Sequence, residues 1–288
     1  MPTSNLLTNA EEFLWKNARL LERQGFRYHF QQGTREAVLN ALRAYQNPDG
    51  GFGNGLEPDK TTPHSQPIDQ EFGLHILYEI GGESSLTEGV CRFLESISTA
   101  EGGVPFVLPS VAPYPRAFWW NTEENPSANI NPTASLVGLL YALDYEHTWR
   151  DRASHYCWQA IEQSETAEVH DLMAILTFLE NHPDRSRVQK AFDRIAPRFL
   201  SEEVVALDPS VEGYVKKPLD WVPTPQSICR PLFSNNILEQ HLDALIAQQA
   251  EDGGWNIGWE PISPAIVSAW RGIVTLKNLM LLKAWGRL

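Results

Sequence analysis

The amino-acid sequence predicts an all-α fold in a single domain that covers residues 1–288. Three observations predict it. Apolar residues recur at helical spacing along most of the chain, strand-like alternation is rare, and a glycine-rich turn sequence recurs at intervals of about 50 residues. A repeat of this size is typical of stacked two-helix units, so about five or six helical hairpins are expected.

The helices are predicted from the spacing of their apolar residues. In the first segment, Phe13, Leu14, Ala18, Leu20 and Leu21 mark one face of an amphipathic helix. Nine further helices are expected near residues 35–46, 68–80, 85–98, 133–144, 149–163, 167–181, 186–200, 235–249 and 265–285.

Several helix ends can be predicted from local sequence. Asn131-Pro132 and Ser263-Pro264 each place a capping side chain before a proline that opens a helix. Gly81-Gly82 is expected to end the helix before it, because glycine adopts the left-handed conformation of a helix C-terminus. The best strand-like segments, 104–107 and 203–207, are both short.

The recurring turn is the most informative feature of the sequence. Residues 46–58 read QNPDGGFGNGLEP, residues 249–261 read QAEDGGWNIGWEP, and residues 98–106 read STAEGGVPF as a degenerate third copy. The copies begin at residues 46, 98 and 249, so their offsets are close to one and three units of about 50 residues. The Asp-Gly-Gly sequence suits a tight reversal, so its glycines are expected to include positions with positive φ.

This pattern resembles the QW repeat of the terpenoid cyclase and protein prenyltransferase superfamily. The resemblance implies an α/α toroid, in which the hairpins form a ring around an apolar, aromatic-lined cavity that holds isoprenoid chains. The matching residues are Gln46, Asp49, Gly50, Gly51 and Phe52 in the first copy and Gln249, Asp252, Gly253, Gly254 and Trp255 in the second.

The known catalytic motifs of that superfamily do not occur in this chain. There is no DxDD acid motif, and none of the three cysteines lies in a recognisable zinc-binding context. The resemblance therefore implies a fold and a substrate class, and it carries over no known activity. No cofactor and no metal are expected.

Composition narrows the class of partner. The formal net charge of −13 disfavours nucleic acids and anionic lipid surfaces as partners. No stretch reaches the ~20 apolar residues of a membrane span, the N-terminus lacks the pattern of a signal peptide, and the cysteines are few and scattered. A cytoplasmic protein with a small apolar or sugar substrate is expected.

The catalytic candidates lie in residues 56–67, which read LEPDKTTPHSQP and follow the first turn. Glu57 and Asp59 are candidate acids, since a buried carboxyl group with a raised pKa can protonate a substrate. Glu57 has a repeat partner in Glu260, whereas Asp59 has none. A structural motif needs only what its copies share, so Asp59 is predicted as the acid and His64 as the residue that orients it.

Aromatic residues in the connections are the candidate cavity wall. Such rings suit isoprenoids through apolar contact and cation–π stabilisation, and they suit sugars through stacking. Three functions therefore stay open: acid-initiated chemistry on an isoprenoid, a carbohydrate-active hydrolase or lyase that uses two carboxylates, and a binding protein without catalysis. The candidate substrate-binding residues are Tyr114, Trp119, Trp120, Trp221, Trp259 and Glu260.

Overall fold

The computed structural model describes residues 3–288, with side chains from Asn5 onward. Over these residues the chain is all-helical and contains no β-strand, as the periodicity predicts. The twelve α-helices are α1 (Thr3–Asn17), α2 (Leu20–Phe30), α3 (Arg35–Arg43), α4 (Pro67–Glu79), α5 (Ser84–Ser96), α6 (Ile130–Ala142), α7 (Thr148–Gln163), α8 (Val169–Asn181), α9 (Arg185–Ile195), α10 (Pro218–Trp221), α11 (Asn235–Ala247) and α12 (Pro264–Ala284).

The predicted and the observed secondary structure differ at three places. The first predicted helix crosses a break at Ala18 and Arg19, so its apolar residues belong to both α1 and α2. The short helix α10 was not predicted, because four residues are too few to show a helical period. The segments 104–107 and 203–207 are irregular, and the first makes only an isolated bridge between Pro105 and Ala128.

The helix ends lie close to the predicted positions, but two of the predicted capping side chains cap no helix within the described part of the chain. Gly81 and Gly82 both have positive φ and follow α4, as predicted. Asn131 itself is extended, and the side chain of Asn129 accepts the capping hydrogen bond from its backbone N–H. Ser263 lies at the cap position of α12, but its side chain caps no backbone N–H among the described residues.

The chain divides into two compact units. One unit comprises residues 43–195 and holds α4 to α9, and the other comprises residues 1–42 and 196–288. In the first unit α6 is buried on nearly all sides and packs against α4, α7 and α8. Gly138 allows α8 to approach α6 closely, because a Cβ at this glycine would lie 2.4 Å from the carbonyl oxygen of Thr177.

In the second unit α12 packs against α1 and α2. Among residues 3–288 it is also the one helix long and apolar enough to cross a membrane, with a mean hydropathy of 1.3 over a window that is 28% buried. Length and composition alone are weak evidence for a span, so the expectation that no segment crosses a membrane stays a prediction.

The three copies of the turn have the same backbone structure. Gly50, Gly102 and Gly253 have φ values of 89°, 94° and 92°, which confirms the expected positive φ. In each copy a backbone N–H closes the turn onto the second glycine, with N···O distances of 2.8, 2.9 and 2.8 Å at Asn47, Thr99 and Ala250. The sequence repeat is therefore also a structural repeat.

Each turn is also tied to the helix that follows it. The backbone N–H after the glycines donates to a helical side chain: Phe52 to Gln70 of α4 at 2.7 Å, Val104 to Thr133 of α6 at 3.0 Å, and Trp255 to Thr275 of α12 at 3.1 Å. The same kind of bond therefore joins each copy of the turn to the helix that follows it.

Candidate functional site

The candidate acidic loop folds against the aromatic segment at residues 114–120. The backbone N–H of Ala117 donates to the carbonyl oxygen of Asp59 at 2.8 Å, and that of Thr61 donates to Pro115 at 3.0 Å. Lys60 and Arg116 form an isolated antiparallel bridge between these two bonds. Backbone pairing therefore brings together two segments that the sequence separates by more than 50 residues.

A buried cluster of three carboxyl groups and one ammonium lies at the start of α4. Its members are Glu57, Asp59, Lys60 and Asp69, and none is more than 3% exposed. Lys60 Nζ lies 3.2 Å from Glu57 Oε2 and 2.7 Å from Asp69 Oδ1. It also donates to the carbonyl oxygen of Glu57 at 3.3 Å. The lysine ammonium is thus held by two side chains and one backbone group.

The helix α4 positions the far side of this cluster. Asp69 lies in the first turn of α4, where the helix dipole favours a negative charge, and its Oδ1 also accepts the backbone N–H of Glu57 at 2.8 Å. The next residue, Gln70, holds the repeat turn by bonding both the N–H and the carbonyl oxygen of Phe52. The turn therefore determines where Glu57 meets α4.

The electrostatics of the cluster favour a bound proton. The pKa of Glu57 is raised from its usual 4.5 to about 7, mainly by burial; Lys60 opposes the rise, and the nearby charges of Asp69 and Asp59 add to it. Three carboxylates and one ammonium would leave a net negative charge in a dry site, which is unfavourable. A proton on Glu57 relieves part of that charge near neutral pH.

Among the residues that the structure describes, no group of three or more His, Cys, Asp or Glu side chains is placed to hold a metal ion. In the cluster, the ammonium of Lys60 takes the position between carboxylates that a cation would otherwise occupy.

Trp120 forms the aromatic side of the cluster. Lys60 Nζ lies 5.6 Å from the centroid of its ring, and the indole also stacks on Phe106 with centroids 4.9 Å apart. Its Nε1 is buried and has no hydrogen-bond partner within residues 3–288. Trp120 therefore combines an apolar surface with one spare donor.

The other predicted residues of this unit lie nearer the solvent. His64 is exposed, and its ring lies edge-on to Tyr114 with centroids 5.8 Å apart. Trp119 is half-buried against Phe118, which is 78% exposed. Asp59, in contrast to His64, is buried. The predicted pairing of His64 with Asp59 stays a prediction.

Three predicted residues and their neighbours belong to the second compact unit. Trp221 is buried beside Phe199. Trp259 is half-buried between Tyr214 and Trp270, with ring centroids 5.4 and 5.0 Å away. Glu260 is exposed. The roles predicted for Trp221, Trp259 and Glu260 stay predictions.

Sequence reasoning missed Lys60, Asp69 and Phe106 as members of this site. Asp69 has the sequence position of an ordinary acidic residue in the first turn of a helix, which conceals its contact with Lys60. Lys60 is the one lysine in LEPDKTTPHSQP, and a lysine that closely follows two acids in a proline-rich segment is the signal that could have singled it out.

No protein-family model matches the chain, and no curated protein matches it significantly.

Proposed function

We propose that the protein is an enzyme that protonates an isoprenoid or a similar apolar chain, with Glu57 as the acid. The observation that carries this proposal is the Glu57 carboxyl group, which is buried and has a pKa of about 7. An acid whose pKa lies near the working pH is suited to proton transfer, because both of its forms are then populated. This choice moves the acid from Asp59 to its neighbour in the same loop.

The surrounding groups would assist each stage of the transfer. Once Glu57 has given up its proton, the ammonium of Lys60 at 3.2 Å stabilises the carboxylate that remains. The stacked rings of Trp120 and Phe106 offer an apolar wall whose π faces favour a cationic intermediate. Asp59 and Asp69 keep the local charge negative, which holds the proton on Glu57 until a substrate takes it.

We propose further that the helical hairpins form an α/α toroid in one domain. Within residues 43–195, α6 contacts α4 and α8, and α5 contacts α7, so helices two apart in the chain pack together. Within the other unit α12 contacts both α1 and α2. Packing between helices two apart in the chain is a local arrangement that a toroid of hairpins would contain.

The carbohydrate-active alternative receives less support. Glycosidases hold two carboxyl groups roughly 5–9.5 Å apart with room for a sugar or a water between them. Here Lys60 Nζ fills the space between Glu57 and Asp69. We therefore rank chemistry on an apolar chain above glycoside hydrolysis, and we keep a cytoplasmic location as part of this proposal because all three cysteines are free and buried.

Product formation from linear polyprenes and polyprenols, followed by gas chromatography with mass detection, tests this function. The comparison is between the wild type, Glu57→Gln and Glu260→Gln, because Glu260 is exposed and occupies the same position in the second copy of the repeat. Loss of a general acid lowers the rate on the order of 10²-fold or more, so Glu57→Gln should lose turnover and Glu260→Gln should keep it.

Two outcomes contradict the proposal. Equal turnover in wild type and Glu57→Gln would remove Glu57 from the chemistry. Bound polyprenes that are returned unchanged by the wild type would favour the binding protein without catalysis.

A further inference from the structure

The contact between Lys60 and Asp69 differs from a surface ion pair because it holds an amine and a carboxyl group together in a completely buried place. Lys60 Nζ lies 2.7 Å from Asp69 Oδ1, and both side chains are 0% exposed. The lysine is anchored by Glu57, and the aspartate is fixed in the first turn of α4. An amine and a carboxyl group held together in this way have a very high effective concentration, which favours their condensation.

Two further features supply what an amide-forming reaction needs. The backbone N–H of Glu57 donates to Asp69 Oδ1 at 2.8 Å, so it can stabilise the negative charge that develops on this oxygen when the carbon is attacked. The Glu57 carboxyl group lies 3.2 Å from the same lysine nitrogen, where it can take a proton from the amine and return it to the departing oxygen.

We propose that Lys60 and Asp69 condense spontaneously to an intramolecular isopeptide bond, with Glu57 as the proton shuttle. This inference does not rest on the proposed enzymatic function, because it concerns a bond within the folded chain and needs no substrate. The bond replaces the Lys60 ammonium and the Asp69 carboxylate with a neutral amide, so the role given to that ammonium in the proposed function belongs to the unlinked chain.

The step balances without any co-reactant. Lys60 Nζ must lose a proton before it can attack Asp69 Cγ, and Glu57 accepts that proton. The N–C bond forms, Oδ1 carries the charge of the tetrahedral intermediate, and the bond from Cγ to Oδ2 breaks. Oδ2 leaves as water with the two protons that the lysine nitrogen gives up. The ammonium and the carboxylate are replaced by one neutral amide and one water.

The environment favours this product over a retained ion pair. Desolvation disfavours both charged groups. The attraction within a buried ion pair recovers only part of the solvation free energy that the two ions lose on leaving water. The amide removes both charges together. The pKa of Glu57, at about 7, allows the shuttle to accept and to donate a proton near neutral pH.

Tryptic peptide mapping of the purified, folded wild-type chain tests this bond. Trypsin cleaves after an unmodified Lys60, and because no other Lys or Arg lies between Arg43 and Arg92, the unlinked chain gives peptides 44–60 and 61–92. A linked Lys60 resists cleavage. The expected product is a single peptide 44–92 that is lighter by one water, with fragment ions that place the link between residues 60 and 69.

The peptide map also distinguishes the isopeptide bond from succinimide formation, which loses a water as well. Asp49-Gly50 and Asp252-Gly253 can each form a succinimide of the same mass change, but a succinimide leaves cleavage after Lys60 intact. Lys277, which is exposed, serves as an internal control for complete digestion. In Lys60→Met the water should be retained, and in Glu57→Gln the link should be lost or strongly reduced.

Recovery of free peptides 44–60 and 61–92 from the folded wild type would overturn the proposal. An equal extent of linkage in wild type and Glu57→Gln would remove Glu57 as the shuttle. Because this readout is a mass map and not a turnover assay, its failure leaves the proposed enzymatic function to its own test.

Discussion

Lys60 is the residue on which the organisation of the acidic loop depends. It carries the only positive charge among the four charged residues of the cluster, and its side chain is completely buried. Its ammonium joins the loop, through Glu57, to the first turn of α4, through Asp69. A buried cation with two carboxylate partners is favourable only while both contacts persist, so Lys60 links the fold of the loop to the charge state of the site.

Substitution of this lysine should therefore destabilise the protein. Removal of one partner from a buried ionic cluster costs about 3–5 kcal/mol, because the remaining charges lose their compensation. We expect Lys60→Met to lower the free energy of unfolding at pH 7 by about that amount, as measured by urea denaturation. The loss should be smaller at pH 5, where more of the carboxyl groups can be protonated.

Lys16→Met is the matched control for this measurement. Lys16 pairs with Glu12 four residues away, and their side chains are 70% and 64% exposed. Exposed pairs contribute little to stability, so this variant should unfold like the wild type. A Lys60→Met protein as stable as Lys16→Met would show that the cluster does not hold the loop.

The sequence located the acidic loop but not the partners of its acids. Residue type and position after the first turn indicate Glu57, Asp59 and His64 as candidates, and the structure buries the two carboxyl groups. The pKa of Glu57 depends on Asp69, which comes from a helix, and on the burial of the loop beneath residues 114–120. Neither influence is local in sequence, so a pattern of residue types cannot rank Glu57 against Asp59.

At the scale of elements, the repeated turn determines how each hairpin begins. Gly50 has a φ of 89°, and a Cβ at this position would lie 2.6 Å from the carbonyl oxygen of Gly89 in α5. Gly81 has nearly the same φ, 85°, but no heavy atom lies within 4 Å of its ideal Cβ. These two glycines separate the effect of backbone conformation from that of close packing.

Alanine substitutions at these glycines should differ accordingly. Gly81→Ala should lower the free energy of unfolding by about 1 kcal/mol, the effect of an unfavourable φ alone. Gly50→Ala should lose about 1–3 kcal/mol more, because its methyl group collides with backbone atoms of α5. Equal losses in urea denaturation of the two variants would show that the turn does not pack on α5 as the structure has it.

The connection between α8 and α9 should make stability depend on pH. Burial lowers the pKa of His182, an effect that Arg187 supports and Asp184 opposes. Both ring nitrogens face N–H donors, from the indole of Trp158 and from the backbone of Asp184, each at 3.1 Å. The neutral ring can accept from one of these donors, and the protonated ring can accept from neither.

A depressed pKa in the folded state means that the unfolded chain binds the proton more readily. The free energy of unfolding should therefore fall as the pH drops below 6.5 toward the pKa of the folded state. Chemical denaturation between pH 7.5 and 5 should show this loss in the wild type, and His182→Gln should lack that part of it. His155→Gln, a change at an exposed residue of α7, should leave the profile unchanged, and the same profile in His182→Gln as in wild type would contradict the assignment.

The elements themselves were largely predictable because helical periodicity and glycine-rich turns act locally. Gly81 and Gly82 end α4 where expected, and Gly50 and Gly253 have the expected positive φ. The break between α1 and α2 was missed because Leu20 and Leu21 extend the apolar pattern across it. A break that leaves the period intact leaves no signal in the sequence.

At the scale of the whole molecule, the proposed chemistry depends on a proton that the folded state holds more tightly than the unfolded chain does. The chain has a net charge of −13. Within the acidic loop, burial and the neighbouring carboxylates raise the pKa of Glu57. A raised pKa in the folded state contributes stability below the unfolded value of 4.5, and this contribution is lost as the pH rises toward 7.

The most direct test of this claim is the difference in unfolding free energy between wild type and Glu57→Gln as a function of pH. Groups that titrate equally in both proteins cancel in this difference, so it reports the proton on Glu57. We predict that, relative to Glu57→Gln, the wild type loses up to about 3 kcal/mol of stability between pH 4.5 and pH 7, with little further change at acid pH. A difference that stays constant over this range, or that rises with pH, would show that Glu57 ionises like an ordinary carboxyl group and would contradict its role as the acid.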